Sequence, residues 1–435
     1  MTRKMKDSGV EWIGEIPESW EISKVRRGFR VSKTIAGDKA NELPRLSLSN
    51  AGVLERPKYD GFGESPADYA TYQIIPVGQF VFNFMGLEQD SLYRRVGISP
   101  MTGLVSAGYM EADYISTQIN PEYAYYFFRF MENGLLFKQY GSGIRSNLNK
   151  QQFHNMPLLF PPLDEQARIS AVIKHKVEAI DTIISETQQS IDELKKYKQA
   201  LITETVTKGL DKNVEMKDSG IDILPSIPTS WKIQKIKNLF SMNKGLSITK
   251  ENLEDNGIPV ISYGEIHSKY GFNFDPTKDF VRNVPESFVQ SDKQAILHKG
   301  DFVFADTSED IEGSGNFTCF TGNVTTFAGY HTVILKAKAN FNHQYVAYLF
   351  DSKIFRSQIQ KNVQGIKVFS ITQRILKDQW IWLPPIEVQE NIVSFLDKKR
   401  IIINQMIDNK IAELMELESY KKALIYEYVT GKKEA

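Results

Sequence analysis

The chain has 435 residues, 53 basic against 53 acidic side chains and one cysteine, Cys319. That length exceeds what one hydrophobic core usually organises, a lone cysteine excludes an internal disulfide, and no stretch approaches the roughly 20 apolar residues of a membrane helix; a cytoplasmic protein of at least two domains is expected. The neutral balance also argues against the broad basic face that marks many nucleic-acid binders.

The first element is a lead-in, and it occurs twice. Met5–Phe29 (MKDSGVEWIGEIPESWEISKVRRGF) aligns without a gap to Met216–Phe240 (MKDSGIDILPSIPTSWKIQKIKNLF), with 12 identities in 25 positions. The likeness fades through the middle of each half and returns: Gly143-Ile144-Arg145 answers Gly365-Ile366-Lys367, Pro161-Pro162 answers Pro384-Pro385, and Tyr197–Ile202 answers Tyr420–Ile425. The offset is 211 at Met5/Met216 and 223 at Pro161/Pro384, so the net length change falls in the dissimilar middles. A unit repeated at this length is a duplicated domain, with common ends and two versions of one middle.

Each middle carries short apolar runs, 77–82 and 298–304, bounded by Gly-, Asn- and Ser-rich loops, which predict strands. Each also carries an aromatic helix, predicted over Glu122–Glu132 and Gln344–Lys353, with Tyr123/Tyr345 and Tyr126/Tyr348 as core residues. These middles read as small α+β domains.

After Pro161-Pro162 there is no Gly or Pro until Gly209, and after Pro384-Pro385 none until Gly431, so both copies end in a long helix with the expected start and stop residues. A stripe follows each: Ile169, Ile173, Ile180, Ile183, Ile191, Leu194 and Leu201 in the first, and Ile392, Leu396, Ile403, Met406, Leu414, Leu417 and Leu424 in the second. With the polar breaks Lys176, Thr187 and Lys198 in the first and Lys399, Lys410 and Lys421 in the second, its steps are of three and four and predict a seam through which the two helices pair as an antiparallel coiled coil with pseudo-two-fold symmetry. The segments are 1–155 (first head), 156–212 (central helical region), 213–378 (second head) and 379–435 (C-terminal helical region). Such a chain is a ruler with one reading head at each end.

The lead-in KDSGVEWIGEIPESW, the G-x-R-x-N-L run at Gly143–Leu148, the P-P-L-x-E-Q at Pro161–Gln166 and the arrangement in duplicate resemble the DNA-specificity subunit of type I restriction–modification systems. The second copy departs at 364–368, which lacks Arg-Ser-Asn, and at Glu387-Val388-Gln389, where the acidic residue comes earlier. The resemblance implies a non-enzymatic subunit that reads a bipartite, asymmetric target in double-stranded DNA. Its partners would be two methyltransferase subunits and, in the full complex, motor–nuclease restriction subunits, with S-adenosylmethionine, ATP and magnesium bound by those partners.

Catalytic and metal motifs agree with that expectation. No phosphate loop, no amino-methyltransferase loop, no paired-carboxylate nuclease pattern and no Cys/His metal spacing occurs in the sequence, and the six histidines are scattered. The other reading from residues alone is a coiled-coil adaptor whose heads bind proteins.

Reading base edges needs Arg, Lys, Asn, Gln, Ser or Thr on loops. In the first head the candidates are Arg45, Ser49, Asn50, Asn83, Tyr93, Arg94, Arg95, Arg145 and Asn147; in the second they are Tyr263, His267, Lys269, Thr307, Asn316, Lys367 and Ser370.

Overall fold

The structure, a computed structural model, describes residues 3–58, 69–88, 94–144, 146–363 and 368–435. The chain divides into two compact units, Met1–Gln188 with Ile411–Ala435, and Gln189–Lys410. Both long helices cross that division, so each unit holds the start of one and the end of the other.

In the first unit an antiparallel sheet runs in the order Phe29–Ser32, Met110–Tyr114, Phe80–Phe82, Val96–Ile98. A second sheet, in the order Gly52–Arg56, Arg45–Ser49, Gly103–Val105, Gln73–Ile75, contains one parallel pairing. The Phe80-Val81-Phe82 strand shows why no polar residue alternates along it. Phe80 and Phe82 enter the main aromatic core with Phe29, Phe128 and Phe153, while Val81 faces a smaller cluster with Leu46, Val53 and Val105.

The second unit repeats this arrangement. Its larger sheet runs Phe240–Lys244, Thr332–Ala337, Phe302–Ala305, Phe317–Phe320, Asn273–Phe274, and a smaller one runs Arg282–Val284, Ile258–Ile261, Phe327–Ala328. Phe302 and Phe304 point into one core with Phe240 and Phe350, and Val303 and Ala305 into another with Val260 and Phe327. The end of each predicted run, 80–82 and 302–304, is therefore strand with apolar residues on both faces, whereas 77–79 and 298–301 form the turn that leads into it.

The aromatic helix spans Pro121–Asn133 in the first unit and His343–Asp351 in the second, each capped by an asparagine, Asn120 or Asn342. The predicted end at Lys353 is corrected: Ser352 is extended, and its side chain caps a new helix, Lys353–Gln360. Tyr123, Tyr345 and Tyr348 are fully buried, and Tyr126 is half-buried.

The long helices are Leu163–Lys208, 46 residues, and Ile386–Val429, 44 residues. Gln166 shows what fixes the first turn: its Nε2 donates to the Pro161 carbonyl at 2.8 Å and its Oε1 accepts from Asn120 N at 2.8 Å, tying the long helix to the cap of the aromatic helix. Gln389 repeats both bonds, to Pro384 O at 2.7 Å and from Asn342 N at 2.8 Å. The far ends are held by the heads. Tyr123 Oη donates to Val429 O at 3.1 Å, and Tyr345 Oη to Val206 O at 3.3 Å, residues 223 apart. Gly431, with φ +72°, terminates the second helix against Trp20, where a Cβ would lie 2.9 Å from the indole.

Within each unit the helix start and the helix end run antiparallel. Lys421 Nζ lies 2.8 Å from Asp181 Oδ1 in the first, and Lys198 Nζ 3.1 Å from Asn404 Oδ1 in the second. Ile169, Ile173, Ile180, Ile191, Ile392, Leu396, Ile403 and Leu424 are buried, and Leu194, Leu201, Leu414 and Leu417 are half-buried. Ile183 and Met406 are not in the seam: they are 43% and 45% exposed, and Ile184 and Ile407 take their places. The seam steps strictly by four and three, 173, 177, 180, 184, 187, 191, as a heptad requires.

Candidate nucleic-acid interface

In the first unit two loops far apart in sequence are bonded together. Gly86 N donates to Asn147 Oδ1 at 2.8 Å, Leu148 N to Phe84 O at 3.2 Å, and Ser146 Oγ to Glu88 Oε1 at 2.6 Å. Asn147 and Ser142 exchange backbone bonds, and Ser146 N donates to Gly143 O at 3.0 Å in the tip that they close. Ile144 stands on that tip fully exposed. Asn83 is half-buried, and its Oδ1 accepts from Met85 N at 3.3 Å.

Arg94 belongs to a second cluster. Its Nη1 donates to Tyr125 Oη at 3.1 Å and its Nη2 to Asn50 O, which leaves the Asn50 side chain exposed beside it. A cleft here is lined by Asn50, Arg94, Arg129, Lys138, Glu418 and Lys422. Ser49 shapes the adjoining turn, donating to Gly52 O at 3.0 Å, and Arg45 Nη1 donates to Pro57 O at 3.2 Å.

Arg95 is a correction to the surface-contact expectation. It is 7% exposed, with Nη1 donating to Met85 O at 2.8 Å and Nη2 to Gly86 O at 3.1 Å, so its guanidinium holds the 85–86 turn from inside. Glu132 accepts from Arg95 N at 2.6 Å and pairs with Arg129. Nothing in the sequence distinguishes Arg95 from Arg94, because the difference lies in which way the strand Val96–Ile98 turns its neighbours.

The second unit gathers its candidates more tightly. His267 Nε2 lies 2.8 Å from Thr307 O, His267 Nδ1 2.8 Å from Asn316 Nδ2, and Thr307 pairs with Ser370 in a short antiparallel ladder. Tyr263 packs edge-on against His331, ring centroids 5.2 Å apart, and His331 Nδ1 is 3.3 Å from Asp306 Oδ1. Lys269 stands apart, its Nζ 3.7 Å from the centroid of the Phe280 ring. Sequence reasoning missed Arg356, which donates to Glu312 O at 2.8 Å and to Asn316 Oδ1. Burial lowers its pKa, opposed by Asp351 and then Asp310. Its helix, Lys353–Gln360, lies beyond the predicted end of the aromatic one.

Tyr93, Arg145 and Lys367 lie outside the described residues. Among the described residues no group of three or more His, Cys, Asp or Glu side chains could hold a metal ion, and no helix is long and apolar enough to cross a membrane.

The family model described as type I restriction modification DNA specificity domain matches residues 104–196 and 228–416. The type I restriction enzyme MjaVIII specificity subunit of Methanocaldococcus jannaschii is 24% identical over 333 residues, 76% of this chain and 74% of that protein. A second chain of that organism, named as the MjaX specificity subunit, is 24% identical over 442 residues, covering 97% and 95%. A solved chain of the type I R-M system, described for its complex assembly and conformational transition, superposes with a TM-score of 0.71 at 16% identity, covering 96% of this chain and 99% of its own, a likeness of fold alone. With the family match spanning both copies, the chain belongs to the type I restriction–modification DNA-specificity family, and its role is recognition of DNA sequence.

Proposed function

We propose that the chain is the non-catalytic subunit that reads a split, asymmetric target in double-stranded DNA, one half with each head. The heads correspond to 1–155 and 213–378, and the helical regions 156–212 and 379–435 set their frame. Two methyltransferase subunits dock on it in the cytoplasm, and restriction subunits join them in the full complex. S-adenosylmethionine, ATP and magnesium are bound by those partners.

The observation that carries this reading is the convergence of polar loops in each unit: 83–88 with 146–148 in the first, and 263–269, 306–316 and 369–370 in the second. Loops gathered on a rigid scaffold are where recognition residues belong. The neutral charge suits a division of labour in which partners supply much of the phosphate clamp.

A gel shift of the assembled complex over a salt series tests it. Contact with about six phosphates weakens binding roughly a thousandfold between about 50 and 200 mM salt, with one sequence preferred. Flat salt dependence and no sequence preference would favour a protein-binding adaptor. Methyl transfer by the isolated chain would show that it is an enzyme in its own right.

A further inference from the structure

Beneath the 306–316 loop a chain of polar side chains admits a single assignment of protons. Arg356 carries only donors, so the Asn316 atom facing it is the amide oxygen, and the Asn316 NH2 then faces His267 at 2.8 Å. His267 Nδ1 must accept that bond, which leaves the ring proton on Nε2, where it donates to Thr307 O at 2.8 Å. Both nitrogens of His267 and the face of Asn316 nearest it are thereby committed inside the head.

The loop is closed down on this chain. Gly313 N donates to Asp310 Oδ1 at 2.5 Å, and a Cβ on Gly313 would lie 2.5 Å from Ser308 Oγ and 3.5 Å from the His267 ring. Thr307, at the end of the chain, pairs with Ser370, and Ile371 N donates to Asp306 O at 2.7 Å. One guanidinium therefore fixes the 306–316 loop and, through Asn316, His267 and Thr307, the start of the 369–371 segment.

The first unit uses the same device from a different place. Arg95 holds Met85 O and Gly86 O, and Gly86 N holds Asn147. The arginines are not repeats of one another: at the offset of 222 that relates the aromatic helices, Arg95 falls on Phe317 and Arg356 on Gly134. Each head has anchored its loops independently.

We propose that Arg356, Asn316 and His267 are positioning residues that set the second head's specificity for its half-site without touching a base. The proposal rests on the DNA-reading function. A loop held to within a fraction of an ångström discriminates base edges, whereas a slack one accepts several.

The test uses the chain assembled with its methyltransferase partners, as wild type, His267→Ala, His267→Gln and Arg356→Lys. Affinity is measured for the cognate duplex and for duplexes with one base pair changed in either half-site, over a salt series and alongside thermal unfolding. His267→Ala should lower discrimination at the second half-site tenfold or more, leaving discrimination at the first and the salt slope unchanged. His267→Gln, which keeps one donor and one acceptor, should restore most of it, and Arg356→Lys should not substitute for the lost guanidinium. If His267→Ala fails to assemble, Asn316→Leu is measured in the same way. Unchanged discrimination in the disrupted variant would overturn the proposal, as would a new preferred base in His267→Gln or uniform weakening with a shallower salt slope. A wild-type complex with no sequence preference would instead remove the DNA-reading function itself.

Discussion

Lys421 Nζ donates to Asp181 Oδ1 at 2.8 Å, and the same bond recurs between Lys198 and Asn404 at 3.1 Å. Lys421 less 223 is Lys198, and Asp181 plus 223 is Asn404, so the helices exchange roles from one unit to the other. Both contacts are on the surface, and such pairs contribute about 0–1 kcal/mol. They report register; the apolar seam supplies the stability.

That seam gives a paired prediction. Leu424, 2% exposed, should cost about 2–4 kcal/mol as Leu424→Ala, whereas Ile183→Ala and Met406→Ala, at exposed positions, should each cost less than about 0.5 kcal/mol. Denaturant unfolding of the three variants measures this, and a large loss at Ile183 would place it back in the seam.

The tyrosine ties give a second prediction. Tyr123 donates to Val429 O, whereas the Tyr345 hydroxyl faces two carbonyls, Val206 O at 3.3 Å and Trp382 O at 3.1 Å, and Val206 O also receives Trp382 Nε1 at 2.5 Å. Tyr123→Phe and Tyr345→Phe should each cost about 1–3 kcal/mol by leaving a buried carbonyl short of a donor, Val429 O in the first and Trp382 O in the second. An unchanged thermal unfolding of either variant would contradict the assignment.

Glu111 predicts a pH dependence. It is 2% exposed, accepts from Ser32 Oγ at 3.2 Å through Oε1, and leaves Oε2 without a hydrogen-bond partner. Burial pushes its pKa up to about 7 from 4.5, against the Ser32 bond and with help from Asp113. The folded value is the higher one, so the native state keeps a proton the unfolded chain has released. Its contribution is full below about pH 4.5 and is lost as pH rises through about 7. Glu111→Gln should flatten that part of the stability curve and raise stability at pH 8 by on the order of 1–3 kcal/mol. Parallel curves for variant and wild type would contradict it.

The frame was legible in the sequence because its signals are local. An absence of Gly and Pro, flanking prolines and a periodic stripe mark a long helix whatever it packs against. The phase of the stripe was harder, since Ile183 and Ile184 are adjacent and equally apolar, as are Met406 and Ile407; only the partner helix chooses between them. The site was less legible still. His267 and Asn316 lie 49 residues apart, and Arg95 differs from Arg94 only in the carbonyls that fold around it. Those are tertiary facts that residue type alone does not carry.

A chain ending near Lys212 would lack Leu424, Ile425, Tyr428 and Val429, all buried in the first unit's core. The repeat supplies equivalents at Leu201, Ile202, Thr205 and Val206, so two such fragments should pair, each head receiving the other's helix end. Sedimentation should show a dimer, and with methyltransferase present it should recognise an interrupted palindrome. A soluble monomer would contradict the exchange of helix ends.

The central claim is that two separate heads read two halves of one DNA target. The most direct measurement replaces residues 30–140 with the corresponding stretch of another family member, co-expresses the chimaera with the methyltransferase partner, and maps methylated sites across the genome. The account predicts one half of the recognised sequence changed and the other retained; alteration of both halves, or of neither, would contradict it.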